Sequence, residues 1–134
     1  MTEVRIKREK FTKILHEMCN ALDQSPRKSV SWQSQYSDEI FTAEVDIQAL
    51  WVAGSYARGA LECGDLDLVM EYASNQPRSP SIQLVRRAFF KNYQRVGIFE
   101  GTPAKNDSGI ELTGAILVWQ GKGFDWQTAI ASVK

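Results

Sequence analysis

Residues 51–69 read WVAGSYARGALECGDLDLV, and this stretch decides the fold. It opens inside an apolar run, Ala49-Leu50-Trp51-Val52-Ala53, that stops at Gly54-Ser55. A short apolar run bounded by a turn signal predicts a buried strand. Tyr56 to Leu61 has the length for one or two helical turns before Cys63-Gly64 breaks them. Asp65-Leu66-Asp67-Leu68-Val69-Met70 then alternates polar and apolar residues, which predicts a second strand with one face on the core.

Upstream, Val4, Phe11, Ile14, Leu15, Met18 and Leu22 recur at helical spacing and predict a helix over 3–22. Pro26 discourages its continuation. Segment 27–37 is polar with Val30 and Trp32 interleaved, so an edge strand and a loop both remain open; 39–47 carries no clear period. Downstream, Asn75 to Ser81 reads as a loop, with Ser81 capping a helix that presents Ile82, Val85, Phe89 and Tyr93 on one face. Val96-Gly97-Ile98-Phe99 predicts a strand, 101–109 a loop, and Ala115 to Trp119 another central strand. A short helix capped by Asp125 closes the chain. Strands alternating with helices predict an α+β (mixed α/β) fold in which helices flank a central mixed sheet. At 134 residues the expectation is one domain over 1–134.

Bulk properties narrow the function classes. Sixteen basic residues balance sixteen acidic ones, so the positive excess that carries non-specific nucleic-acid binding is missing. The basic segment Arg5, Lys7, Arg8, Lys10, Lys13 is diluted by Glu3, Glu9 and Glu17 and reads as a solvated helix face. Cys19 and Cys63 lie far apart, with neither disulfide-framework nor zinc-ligand spacing. The charged N-terminus lacks the apolar core of a signal peptide, and no apolar run nears the ~20 residues of a membrane span. The expectation is a cytoplasmic, soluble protein.

Asp65 and Asp67 carry the chemistry. On a strand, period two sets both carboxylates on one face, with Cβ atoms about 6–7 Å apart at a rise of about 3.3 Å per residue. Two carboxylates at that spacing can converge on one hard cation, and they repel each other until one is present. Oxygen ligands with a triphosphate as co-ligand favour Mg²⁺. Gly54 lets the backbone approach a phosphate closely, and Ser55 adds a hydroxyl. Arg58, one turn on, is placed to pair with a phosphate or a neighbouring acid.

The order apolar strand, Gly54-Ser55, Ala57-Arg58-Gly59, Gly64-Asp65-Leu66-Asp67 resembles the polymerase-beta-like nucleotidyltransferase superfamily, in its small single-domain bacterial form. The resemblance implies that Asp65 and Asp67 hold Mg²⁺ (or Mn²⁺) and that the Gly54-Ser55 turn, with Arg58, holds the phosphates of a nucleoside triphosphate. It implies transfer of a nucleoside monophosphate to an acceptor hydroxyl on a protein, an RNA or a small molecule. The family also places a third carboxylate near the start of the strand after the next helix. Here that strand reads Arg95-Val96-Gly97-Ile98-Phe99-Glu100, and Gly97 occupies the acid's place. Glu100, on the opposite parity, and Glu111 are the candidates for a third ligand.

An alternative follows from that gap: a catalytically weak module on the same fold that acts by binding a protein partner, antitoxin-like or as a scaffold. A nucleic-acid surface on Arg86, Arg87, Lys91 and Arg95 is the weakest of the three expectations. A homo-oligomer or a neighbouring protein fits a domain of this size. His16, the single histidine, reads as a surface or capping residue, and Trp119 and Trp126 as packing.

Overall fold

The computed structural model describes residues 6–77 and 79–133. The chain runs β1 (Ile6–Lys7), α1 (Arg8–Gln24), β2 (Arg27–Gln33), β3 (Ile40–Ala53), α2 (Gly54–Ala57), β4 (Glu62–Cys63), β5 (Leu66–Ser74), α3 (Ile82–Phe89), β6 (Val96–Glu100), β7 (Ile116–Trp119) and α4 (Trp126–Ala131). The fold is α+β around one mixed sheet. Its strand order is β2-β3-β5-β6, with β7 paired to β3 beside β2's row. β5 and β6 are parallel and the other pairings are antiparallel. β1 and β4 form a separate two-residue pair.

Several boundaries differ from the sequence expectation. The first helix starts at Arg8, because Ile6 and Lys7 pair with Cys63 and Glu62; Val4 and Arg5 lie outside the described residues. Segment 27–37 contains a strand, β2. The untyped 39–47 and the apolar run 49–53 are one 14-residue strand, β3. Its register with β5 shifts between Ile47 and Ala49, a bulge that explains the confused period. Before it the buried residues are the odd ones Ala43, Val45 and Ile47; after it Ala49, Leu50, Val52 and Ala53 are all buried, with the large side chains Leu50 and Val52 at even positions. The short helix is the four residues of α2 and begins at Gly54. α3 ends at Phe89, so Tyr93 lies beyond it. Ala115 to Trp119 contributes an edge strand, since among the described residues β7 pairs with β3 alone.

Local chemistry explains the remaining elements. α1 buries Phe11, Ile14, Leu15, Met18, Cys19 and Leu22, the expected stripe. Ser81 accepts a hydrogen bond from the Leu84 amide and caps α3, and Asp125 accepts one from the Thr128 amide and caps α4. On β5, Leu66, Leu68 and Met70 are fully buried against the helices. Each such side chain stabilises by about 1.5–3 kcal/mol and holds the strand in place. Asp67 therefore projects from the other face. Among the described residues, no helix is long and apolar enough to cross a membrane.

One basic residue departs from the solvated-face reading. Arg8 turns inward and donates to the carbonyls of Tyr56 at 2.6 Å, Ala60 at 3.1 Å and Val133 at 3.0 Å. Its guanidinium lies 3.8 Å from the centre of the Tyr56 ring. These contacts tie α2 to the first turn of α1 and fix the corner that precedes the site.

Candidate functional site

Three strands meet at the candidate site. Antiparallel pairing sets Ala53 of β3 opposite Asp67 of β5, and parallel pairing sets Gly97 of β6 beside Asp67 on its other side. After Ala53 the backbone turns at Gly54 with φ 66°, in the left-handed region that favours glycine. A Cβ added to Gly54 would lie 2.6 Å from Asp67 Oδ2. One added to Gly97 would lie 3.8 Å from Asp67 Oδ1. The Asp67 carboxylate thus rests against the corner, between two residues that have no side chain.

Electrostatics follow from that placement. Partial burial pushes the Asp67 carboxyl above its ordinary value, the nearby Asp65 charge pushes it further, and Arg58 opposes both. Asp65 is exposed and lies 3.9 Å from Arg95 Nη1. Arg95 is held at φ 61°, an uncommon conformation for a residue with a side chain. Its carbonyl accepts the Leu66 amide at 2.8 Å, which binds the start of β6 to the start of β5.

The structure sets Asp67 against Gly54, with Asp65 and Arg58 close enough to act on its carboxyl; Asp65 lies one residue before β5, so the expected strand pair with both carboxylates on one face is not formed. Ser55 follows Gly54 on the same corner and is half-buried; its carbonyl accepts the Ala60 amide at 3.1 Å. The two candidate third acids stand apart. Glu100 pairs in register with Met70, three residues along from the Asp67–Gly97 pair and on the opposite parity. Its carboxylate interacts instead with Tyr72. Burial, first, and then Glu100 raise the Tyr72 hydroxyl above its usual range. Glu111 is exposed in the 101–115 connection. Among the described residues, no three His, Cys, Asp or Glu side chains are grouped to hold a metal ion.

Sequence reasoning overlooked Arg95 as a site residue. Parallel pairing carries the signal: if Gly97 aligns with Asp67, the residue two earlier comes beside Asp65. Other side chains are structural. Arg86, one of the four basic residues read as a nucleic-acid surface, is engaged by the backbone: it donates to the carbonyls of Val96 at 2.6 Å and Tyr93 at 2.9 Å. His16 meets Trp126 edge to face at 5.3 Å, and Trp119 is fully buried with its indole N–H on Asp23 Oδ1 at 3.2 Å. Cys19 and Cys63 are both buried and free. Burial, with a smaller effect of Asp23, pushes the Cys19 thiol up to about 12, which leaves it unreactive.

The donor set suits a hard divalent cation. It consists of oxygen alone, from two carboxylates whose mutual repulsion a cation would relieve. Two protein carboxylates with waters and phosphate oxygens are a usual complement for Mg²⁺. No family model, curated protein or solved structure matches the chain.

Proposed function

We propose that the Gly54–Asp67 corner binds a nucleoside triphosphate with Mg²⁺ or Mn²⁺ and transfers the nucleotidyl group to an acceptor hydroxyl, as in polymerase-beta-like nucleotidyltransferases. One observation carries the reading. The Asp67 carboxylate is lodged against a left-handed glycine, with a second carboxylate close enough to raise its proton affinity. Asp65 and Asp67 hold the cation. Gly54 leaves the backbone bare for a phosphate, Ser55 offers a hydroxyl donor, and Arg58 offsets the negative charge. A cation bound there would polarise the transferred phosphate and neutralise the departing pyrophosphate. The acceptor is a hydroxyl on a protein, an RNA or a small molecule.

Incubation with labelled ATP, GTP, CTP or UTP, Mg²⁺ and cell lysate should label an acceptor. Asp65→Asn combined with Asp67→Asn should reduce labelling by about 100-fold or more, the loss expected when a metal site is dismantled. Equal labelling by the double variant sinks the reading.

A second reading has its own support. Gly97, not an acid, lies beside Asp67, and among the described residues no third acid joins the pair. A protein-binding module on this fold, antitoxin-like or a scaffold, would tolerate that. Calorimetry with each triphosphate and Mg²⁺, followed by a pyrophosphate assay, separates the two readings. Metal-dependent binding with pyrophosphate release excludes a purely structural role.

A further inference from the structure

Two arginines balance the two aspartates, and they do so differently. Arg58 acts on Asp67 from within the corner, whereas Arg95 reaches Asp65 from the start of β6. Arg95 and Asp65 are both substantially exposed, with 44% and 59% of their side-chain surfaces open, and their contact is long at 3.9 Å. A pair of this kind contributes little to stability and is easily released. Yet its backbone is costly: a side-chain-bearing residue held at φ 61° in the left-handed region is strained. The Leu66 amide holds the Arg95 carbonyl at 2.8 Å, so the strained conformation is enforced by strand pairing. The result is a rigidly based, loosely engaged guanidinium beside one carboxylate of the site.

We infer that Arg95 is a phosphate-binding residue which serves as the counter-ion of Asp65 and exchanges that role for the polyphosphate when the site fills. This rests on the nucleotidyltransferase-type reading of the site. Without a cation, Arg95 would screen Asp65 and lessen its repulsion of Asp67. As Asp65 takes up the cation, the guanidinium is released beside that carboxylate. A planar fork of donors is suited to phosphate oxygens. Arg95 thus competes with a bare cation and cooperates with a cation–polyphosphate pair. A residue that only stabilised the fold would do neither.

The test uses calorimetry on the full chain, with Mn²⁺ alone and with Mn²⁺ plus inorganic triphosphate. Arg95→Asn removes the charge while keeping a residue that tolerates positive φ, and Arg95→Gly is the backbone control. Both variants should bind Mn²⁺ alone about 2- to 5-fold more tightly, the release of one exposed ion pair. Both should bind Mn²⁺–triphosphate about 10-fold more weakly, the loss of a charge-assisted phosphate contact. Arg95→Lys should restore part of the triphosphate affinity. If both affinities stay at wild-type values in Arg95→Asn and Arg95→Gly while Asp65→Asn abolishes Mn²⁺ binding, the inference fails and the metal site survives. If the wild-type protein binds neither ligand, or binds both equally after Asp65→Asn with Asp67→Asn, the reading of the site and this inference fall together.

Discussion

Two glycines flank the Asp67 carboxylate, and they are glycine for different reasons. On the β3 side, Gly54 sits at φ 66°, and Asp67 Oδ2 fills the place where its Cβ would be. On the β6 side, Gly97 has ordinary strand geometry, and a methyl there would meet Oδ1 at a normal contact distance of 3.8 Å. The first glycine is required by the backbone and by space. The second is required by neither, and it leaves that flank of Asp67 without a side chain. One carboxylate is therefore held from the corner side and left open from the sheet side.

The largest effect should come from breaking the corner. Gly54→Ala forces a side chain into the left-handed region and drives Cβ to 2.6 Å from Asp67 Oδ2. The conformational penalty and the overpacking together should cost about 2–4 kcal/mol. Urea unfolding at unchanged m-value measures it. A cost below about 1 kcal/mol would mean that the corner can relax away from Asp67, and the contrast between the two glycines would lose its basis.

Gly97→Asp sharpens the contrast from the other side. The new carboxylate would project on the face of Asp67, because the two residues are paired in parallel register. Mn²⁺ affinity by calorimetry should rise about tenfold, and stability in chelator should fall by about 1 kcal/mol from added like-charge repulsion. Unchanged Mn²⁺ affinity would show that this flank does not face the cation.

Much of this arrangement is legible in the sequence, for identifiable reasons. Gly54-Ser55 ends an apolar run, and Asp67 alternates with Leu66 and Leu68, so the corner and the strand that carries Asp67 can be read from local pattern alone, whereas Asp65 falls just before that strand. β3 cannot, because the bulge after Ile47 moves the large buried side chains from odd to even positions and erases the period-two signal. Without that switch Trp51 and Ala53 would not share the face of Asp67. Arg8 is equally hidden: it stands among basic residues as a surface charge would, yet three carbonyls contributed by residues 56, 60 and 133 collect around it. The role of Arg95 requires the β5–β6 register, a pairing between segments separated by α3. Local signals set the chemistry of the site, while long-range pairing sets which charges meet there.

The acid titration of Asp67 should be smaller in size but definite in sign. Its folded pKa lies above the unfolded value of 3.8, so the folded state binds the proton more tightly. Stability from this group is present below pH 3.8 and is lost as pH rises through the raised folded value. Asp67→Asn should therefore be more stable than wild type at neutral pH without divalent cation. The advantage should vanish on acidification below pH 3.8 and shrink when Mn²⁺ is added to wild type. Urea midpoints across pH, with and without Mn²⁺, provide the check. A variant less stable than wild type at neutral pH would show that Asp67 is held by favourable contacts and not by the corner's geometry.

The smallest effect belongs to Gly97→Ala, and its smallness is the point. The substitution adds a methyl at an ordinary contact distance, without backbone strain, and removes the conformational freedom that glycine has in the unfolded chain. Stability should stay within about 0.5 kcal/mol of wild type or rise slightly. Triphosphate affinity then becomes informative because folding is not in question. Unaltered affinity means that the flank beside Asp67 stands empty in the complex and that Gly97 marks only a missing acid. A drop of about tenfold, with folding intact, would mean that ligand atoms occupy that space. The two glycines would then serve the same pocket, and the distinction drawn between them would hold for the backbone alone.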